Sequence, residues 1–236
     1  PRELEKVFSP IAVDLANTID RKIVLRSSTT YERFTENLDE QIFDIALVQP
    51  FDYVRVADRF GYQPLATRHQ KLATIVVVKQ DSAFTTLADL RGKRIALPPP
   101  SAAVSHLLLA HLREQGMKPG TEVTLSHHRS HISCMQQVLI GEADACGTAA
   151  PARRFFEHKM KVSLKVIDRT GEIPHTLFAI HPRVPARDRE LIQRRILAWA
   201  DSEAGRQMLA RGRLKPFVVA SDTDYDIVRS LVKQSD

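Results

Sequence analysis

The chain has 236 residues, of which 43% are hydrophobic and 26% are charged, and this composition is typical of a globular protein with one large domain or two small ones. Lys and Arg number 34 against 28 Asp and Glu, and the resulting charge of +6 favours an anionic partner. The basic residues are scattered and aromatic residues make up only 6%, so we expect no nucleic-acid partner. No apolar run reaches the roughly 18 to 20 residues needed to span a bilayer.

The pattern of apolar residues predicts helices and strands in alternation along most of the chain. In residues 3–19 the apolar spacing is helical, and Pro10 either kinks this helix or divides it in two. Further helices are predicted at 30–39, 51–60, 87–90, 101–115, 131–140, 151–158, 186–200, 202–211 and 222–233. Strands are predicted at 22–27, 43–48, 61–66, 72–79, 94–97, 121–126, 144–148, 163–168 and 173–180. The last three helices are expected to have no strand among them.

Alternation of this kind predicts an α/β fold in which mainly parallel sheets are flanked by helices. Two rounds of αβ units, a β-rich crossover between them and a helical tail together suggest two lobes with a ligand cleft between them. We expect lobe 1 to comprise 1–80 plus 176–236 and lobe 2 to comprise 81–175, with hinge strands at about 73–79 and 176–180. In sheets of this type, ligands bind at the carboxyl ends of the strands.

The segment from Arg91 to Leu112 is predicted to run from a strand through a proline-stiffened loop into a helix that opens on Ser101. A helix N-terminus presents backbone N–H groups and the positive end of the helix dipole, and together these attract anions. The hydroxyl of Ser101 and the N–H groups of Ala102 and Ala103 are therefore candidate ligand donors. A plain N-cap role for Ser101 is an equally good interpretation.

Several segments together suggest a known family. In order they are FDIALVQPFDYV, LADLRGKRIALPPPSAAVSHLLLAHL, GEADACGT and IPHTLFAIHP. They resemble the phosphate/phosphite/phosphonate substrate-binding proteins of bacterial ABC transporters, which have the type II periplasmic-binding fold. The resemblance implies a monomeric periplasmic or otherwise extracytoplasmic protein without a cofactor, whose signal peptide lies outside this chain. It also implies that two lobes close by a hinge motion on a small oxyanion and that the closed form meets a membrane permease.

The resemblance also implies where the ligand contacts lie. Gln49, Phe51 and Tyr53 follow the lobe 1 strand, and the Tyr53 hydroxyl is a candidate donor to an anion, although both aromatic residues could instead be core packing. His131 is the expected ligand-contacting histidine, with Ser130 as the cap of its helix. Secondary candidates are Thr148, at the end of a strand, and Thr170, at the return crossover.

Two features of the sequence depart from the family pattern. Members usually begin with a core strand before the first helix, whereas this chain begins at the helix, so that strand is either outside the chain or lobe 1 is built differently. The anion loop of the family typically reads Ser-Ser/Thr-Thr/Ser-Gly, whereas residues 101–104 read Ser-Ala-Ala-Val. The loop therefore keeps one hydroxyl, which puts side-chain selectivity for a phosphoryl group in doubt.

Three histidines and two cysteines are candidates for a metal site or a disulfide. The HHxxH pattern of His127, His128 and His131 invites a metal interpretation, but adjacent histidines on an extended backbone point to opposite faces, so we reject it. Cys134 and Cys146 lack metal-ligand spacing. For these two cysteines, a disulfide and two reduced buried thiols are equally compatible with the sequence.

Two rival functions keep the same fold. The first is a ligand-binding sensor domain of a membrane receptor such as a membrane-anchored histidine kinase, which the abrupt ends of the chain suggest. The second is an enzyme, but the sequence has no nucleophile elbow, no HExxH motif and no phosphate loop of the GxxxxGK type. We therefore expect a binding protein with no catalytic residues.

Overall fold

A computed structural model describes residues 2–233 of the chain. The helices of this part are α1 (Arg2–Ile19), α2 (Tyr31–Asp39), α3 (Pro50–Phe60), α4 (Ala103–Glu114), α5 (His131–Ile140), α6 (Ala150–Met160), α7 (Ala186–Leu197), α8 (Glu203–Arg211) and α9 (Asp226–Lys233). The strands are β1 (Ile45–Val48), β2 (Gln63–Arg68), β3 (Ile75–Lys79), β4 (Arg94–Leu97), β5 (Thr124–His127), β6 (Ala145–Thr148), β7 (Leu164–Arg169), β8 (Leu177–Ile180) and β9 (Phe217–Val219). Short 3₁₀ helices occupy Leu87–Leu90, Ala198–Asp201 and Asp222–Tyr225.

The chain folds into two compact units, each built around its own sheet. Of the described residues, unit 1 contains those up to Lys71 and those from Pro174 to Arg229, and unit 2 contains Leu72–Ile173 and those after Arg229. An antiparallel bridge joins Leu72 to Ile173, the first and last residues of the main segment of unit 2. The bridge has two backbone hydrogen bonds, of 2.8 and 2.9 Å.

Unit 2 has a five-stranded sheet in the order β5-β4-β6-β3-β7. Strand β4 is parallel to β5 and β6, whereas β3 is antiparallel to β6 and β7. The apolar run of β3 is buried on both faces, because Val76 and Val78 pack into one core and Ile75 and Val77 into the other. This is the burial expected of a continuous apolar run inside a sheet covered on both sides.

Unit 1 has a four-stranded sheet in the order β1-β8-β2-β9. Every neighbouring pair in it is antiparallel, because the return strand β8 lies between β1 and β2. The core on this sheet is built around Trp199, Phe178 and Phe217, whose rings lie 5.1–6.2 Å apart. Helices α1 and α7 add aliphatic side chains to the same core, namely Ile11, Leu15, Ile192 and Ile196.

Most of the predicted elements are present, and the differences have local causes. Helix α1 continues through Pro10. The predicted strand 22–27 is wrong: this segment has no regular structure, and Val24 is 62% exposed. The tail does contain a strand, β9, which pairs with β2. Alternation of apolar residues therefore indicated strand propensity at 22–27, but no neighbouring strand pairs with that segment.

Helix caps and one close contact fix the positions of the elements that carry the candidate site. Thr30 and Ser130 cap α2 and α5 through their hydroxyls, and the cap at Ser130 is the one predicted from the sequence. Gly147 of β6 lets α4 pack directly on the strand, since an added Cβ would lie 2.5 Å from Leu108. Among the described residues, no helix combines the length and the apolar character needed to cross a membrane.

Candidate ligand-binding site

In unit 2, four strands end at the same edge of the sheet. β4, β5 and β6 are parallel, and β7 runs in the same direction because both β6 and β7 are antiparallel to β3. Helices α4, α5 and α6 begin just after β4, β5 and β6, so their N-termini lie at this edge. We call the residues that follow the four strand ends (98–103, 128–131, 149–150 and 170–171) the carboxyl edge of unit 2. Three positive helix dipole ends make this edge suitable for an anion.

The proline loop of the carboxyl edge is held from several sides. The N–H of Ala102 donates to the carbonyl of Pro99 at 2.9 Å. The buried hydroxyl of Ser105 lies 3.0 Å from the same carbonyl and 3.3 Å from that of Pro98. His127 donates through Nδ1 to the Pro98 carbonyl at 2.8 Å. The loop therefore has a defined shape before any ligand arrives.

The predicted cap of α4 is wrong. The helix begins at Ala103, and its N-cap is Ala102, which has no capping side chain. The turn closed by the Pro99 carbonyl places Ser101 before the helix, so its hydroxyl does not cap α4. Among the described residues, the Ser101 side chain has no hydrogen-bond partner, and it is half-buried. It is consequently available as a donor, whereas the N–H of Ala102 is already used within the turn.

His131 and Thr148 are brought together at the carboxyl edge. His131 Nδ1 and Thr148 Oγ1 share a hydrogen bond of 2.8 Å, and Thr148 is fully buried. Burial lowers the pKa of the His131 imidazole, so the ring is neutral at pH 7. Ser130 precedes His131 as the N-cap of α5, and its hydroxyl accepts the N–H of Ser133 at 3.1 Å. The structure thus joins two of the predicted site residues and uses a third to position them.

Thr170 belongs to a second polar cluster at the same edge. Its hydroxyl oxygen accepts the N–H of Thr74 at 3.0 Å and donates to the carbonyl of Gly171 at 2.9 Å. The Thr74 hydroxyl donates to the Val104 carbonyl at 2.8 Å and so ties the start of β3 to the first turn of α4. Thr74 was not predicted as a site residue from the sequence. The signal that could have indicated it is a polar residue directly before the apolar run of β3.

The histidines of the HHxxH pattern have three different partners. His127 bonds to Pro98, His131 to Thr148, and His128 to the hydroxyl of Ser126 at 3.0 Å. Within the part of the chain that the structure describes, no group of three or more His, Cys, Asp or Glu could hold a metal ion. Cys134 and Cys146 form a disulfide that links α5 to β6. The disulfide lies close in the chain to both His131 and Thr148.

In unit 1, the predicted site residues lie at the end of β1 and the start of α3. Gln49 is the N-cap residue of α3 and makes no capping hydrogen bond with its side chain. Phe51 is half-buried in the first turn. Tyr53 is fully buried, and its hydroxyl donates to the Asp222 carboxylate at 2.6 Å. Burial and the hydrogen bond to Asp222 raise the pKa of Tyr53.

Arg68 lies at the same edge of the unit 1 sheet and was missed in the sequence. In the strand register, Val48, Leu177 and Thr67 lie side by side, so Gln49 and Arg68, the residues that follow Val48 and Thr67, lie at the same edge, where Arg68 still pairs with Phe217 of β9. Arg68 Nε is buried without a hydrogen-bond partner. Burial lowers the pKa of its guanidinium. The sequence signal was a basic residue two positions after the predicted strand 61–66.

Three solved structures share this fold over nearly the whole chain. XAC2383 from Xanthomonas citri, solved bound to ATP, has a TM-score of 0.84 at 15% identity, covering 99% of this chain and 93% of that one. PhnD1 from Prochlorococcus marinus, solved in complex with methylphosphonate, has a TM-score of 0.80 at 14% identity, covering 99% and 93%. A binding protein component of an ABC phosphonate transporter from Pseudomonas aeruginosa has a TM-score of 0.78 at 14% identity, covering 100% and 83%. These similarities establish the two-lobed type II periplasmic-binding fold.

The family follows from a match that does not depend on these structures. The model of the phosphonate periplasmic substrate-binding proteins of ABC transporters matches residues 1–225. The chain belongs to this family, which confirms the resemblance seen in the sequence. The family consists of substrate-binding proteins and not of enzymes, and it works with ABC transporter permeases. Membership therefore gives the chain a role in binding a solute for a transporter, and an extracytoplasmic location.

Proposed function

We propose that this chain binds a small oxyanion of the phosphate or phosphonate type and that the carboxyl edge of unit 2 provides most of the donors. The observation that carries the proposal is the convergence of three helix N-termini beside the His131–Thr148 pair. Backbone N–H groups and helix dipoles stabilise an anion without a buried counter-ion. A neutral His131 adds a hydrogen-bonding ring and no charge, so the ligand would be recognised mainly through its shape and its acceptors.

Each predicted contact has a role in this proposal. Ser101 donates its hydroxyl, and the turn and helix start at Ala102 and Ala103 shape the backbone around the anion. His131 contacts the ligand through the ring nitrogen that Thr148 does not use, and Ser130 and Thr148 hold that ring. Thr170 has a supporting role, because its hydroxyl accepts the N–H of Thr74 and so helps to fix the position of Thr74 beside the start of α4.

The unit 1 residues have a smaller part in the proposal. We assign Gln49 and Phe51 as ligand contacts, and their position directly after β1 supports this assignment. The Tyr53 hydroxyl would have to leave Asp222 to reach a ligand, so we assign Tyr53 to support of the α3 start. A hinge motion through the segments 73–79 and 176–180 stays a prediction. Nothing in the fold or the family favours the alternative role of a receptor sensor domain.

The proposal is tested by a ligand screen of the purified protein. Calorimetry and thermal-shift measurements with phosphate, phosphite, methylphosphonate, sulfate and arsenate should reveal saturable binding of at least one of them. Ser101→Ala and His131→Gln should each weaken that binding about fivefold, because each removes one neutral hydrogen bond worth about 1 kcal/mol. Ser163→Ala and His158→Gln alter exposed residues of the same unit and serve as matched controls.

Two results would count against the proposal. If none of the five anions produces heat or raises the melting temperature, the oxyanion assignment is wrong, although the family membership stands. If an anion binds but the two site variants behave like their controls, the carboxyl edge of unit 2 is not where it binds.

A further inference from the structure

Arg68 is the last residue of β2, and among the described residues its side chain has no hydrogen-bond or ion-pair partner. Its backbone is held in the sheet, where its N–H donates to the Thr176 carbonyl at 3.2 Å. In the described part of the chain, Arg68 Nε is the one buried side-chain nitrogen or oxygen atom without a hydrogen bond. None of the ion pairs between described residues includes its guanidinium either. A buried charged donor without an acceptor is costly, so its presence in a folded protein calls for an explanation.

Arg68 is one of the residues that line a cavity of about 250 Å³, and all of these residues belong to unit 1. Arg68 and Lys71 bring two permanent positive charges to its wall, and His69 adds an imidazole. Asp224 is the one carboxylate in the lining, and it already accepts the N–H of Ser221 at 2.9 Å. The wall therefore has more positive than negative charge.

The other groups around the cavity do not oppose the binding of an anion. Val218 and Val219 of β9 line it with exposed apolar side chains, which bring no charge to the wall. The neighbouring His175 has a pKa lowered to about 4, by burial first and by the charge of Arg68 second, so it is neutral at pH 7. Its neutrality means that it neither repels nor replaces an anion. The planar guanidinium can bind two oxygens of one oxyanion at once.

We propose that this cavity, which we call the Arg68 pocket, is a second anion site and takes a small phosphate-type oxyanion in contact with Arg68 and Lys71. It differs from the carboxyl edge of unit 2 in its chemistry, because side-chain charge and not helix dipoles would hold the anion. The site lies where the chain leaves and re-enters unit 1, since Lys71 and Pro174 both line it. It does not rest on the proposed function.

The test is a titration of the isotope-labelled protein with inorganic phosphate at constant ionic strength, followed by NMR. The Nε–H resonance of Arg68, identified by its loss in Arg68→Gln, should shift and reach saturation. Backbone amide resonances of Ser101 and Val104 report the carboxyl edge of unit 2 in the same spectra. A shift at Arg68 alone, at the edge alone, or at both therefore separates this proposal from the proposed function. An Arg68 resonance that does not move, or moves equally with added chloride, overturns the proposal.

Variants assign the effect to the pocket. Arg68→Gln should weaken phosphate binding at this site by about tenfold or more, because a charge-assisted hydrogen bond is lost. Arg68→Lys should have a smaller effect, since the charge stays and only the two-pronged geometry is lost. Arg211→Gln removes an equal charge from an exposed position of unit 1 and should leave binding unchanged.

Folding of the variants is checked by circular dichroism. If Arg68→Gln does not fold, Lys71→Gln replaces it, because Lys71 is exposed and its loss should still weaken binding severalfold. Equal binding by the Lys71 and Arg211 variants would then overturn the proposal.

Discussion

One region of each unit, the carboxyl edge of unit 2 and the Arg68 pocket of unit 1, differs from the other in how its buried polar groups are paired. At the carboxyl edge of unit 2, buried polar side chains bond to one another or to the backbone, as the pairs His131–Thr148 and Thr74–Thr170 show. In unit 1, the guanidinium of Arg68 is left beside a cavity with a buried nitrogen that lacks an acceptor. The buried polar groups of the first region are therefore satisfied within the protein, whereas Arg68 Nε has no acceptor among the described residues.

This difference has consequences for how each region would bind an anion. A site made of helix N-termini and neutral donors brings little net charge to the ligand. Its selectivity among anions therefore comes from the geometry of its donors. A site made of Arg68 and Lys71 attracts anions at longer range, and salt screens that attraction over about 10 Å at 0.1 M. Raising the salt concentration should therefore weaken phosphate binding at the Arg68 pocket more than at the carboxyl edge.

The largest effect should come from the disulfide that braces unit 2. Replacing both Cys134 and Cys146 by Ser should lower the free energy of unfolding by about 3 kcal/mol, because the unfolded chain regains the freedom of a 12-residue loop. Urea unfolding measures the loss, and hydrogen exchange should place it in unit 2. A reductant should destabilise the wild type and leave the double variant unchanged. An unchanged urea midpoint would show that the disulfide does not stabilise this unit.

The next effect depends on pH and belongs to unit 1. His175 has a pKa of about 4 in the folded protein, against about 6.5 in an unfolded chain. Between these values only the unfolded chain binds the proton, so the stability held above pH 6.5 is lost as the pH falls towards 4. Between pH 7 and pH 5 the wild type should lose about 2 kcal/mol relative to His175→Gln.

Comparison with His175→Gln is necessary because another buried group of unit 1 changes the stability in the opposite direction as the pH falls. Burial raises the pKa of Asp52 to about 6, so its protonation on acidification favours the folded state. Urea unfolding of both proteins at pH 7 and pH 5 isolates the histidine. Equal losses in the two proteins would contradict the low pKa of His175. In Arg68→Gln the pKa of His175 should rise, since one of its two causes is removed.

The fold could be predicted largely from the sequence because its signals are local. Apolar runs predicted most of the strands, and helical spacing predicted most of the helices. Ser130 was correctly predicted as the N-cap of α5. Strand β9 was not predicted, because a strand of three residues is too short to show an alternation of apolar and polar residues. The strand predicted at 22–27 was wrong, because the alternation of apolar residues indicates strand propensity but not whether a neighbouring strand is available for pairing.

The site was harder to predict because its details depend on tertiary contacts. The turn between Pro99 and Ala102 moved the start of α4 and removed Ser101 from its expected cap. Arg68 resembles many surface arginines in sequence, and its burial arises only when β8 and β9 pair with β2 from more than a hundred residues away. The family resemblance indicated His131, and the position at the end of a strand indicated Thr148, but the hydrogen bond between them is known only from the structure.

The smallest effect should be the coupling between His131 and Thr148. Thr148→Val keeps the shape of a fully buried side chain but removes the oxygen, so His131 Nδ1 loses its partner and stability should fall by about 1 kcal/mol. His131→Ala should leave the Thr148 hydroxyl unpaired, with a further loss from packing. Combined, the two changes should cost less than the sum of the single ones by about 1 kcal/mol, because neither buried group is then left without its partner. Strict additivity in urea unfolding would show that the pair does not stabilise the edge, and unit 2 would then differ less from unit 1 than its hydrogen bonds indicate.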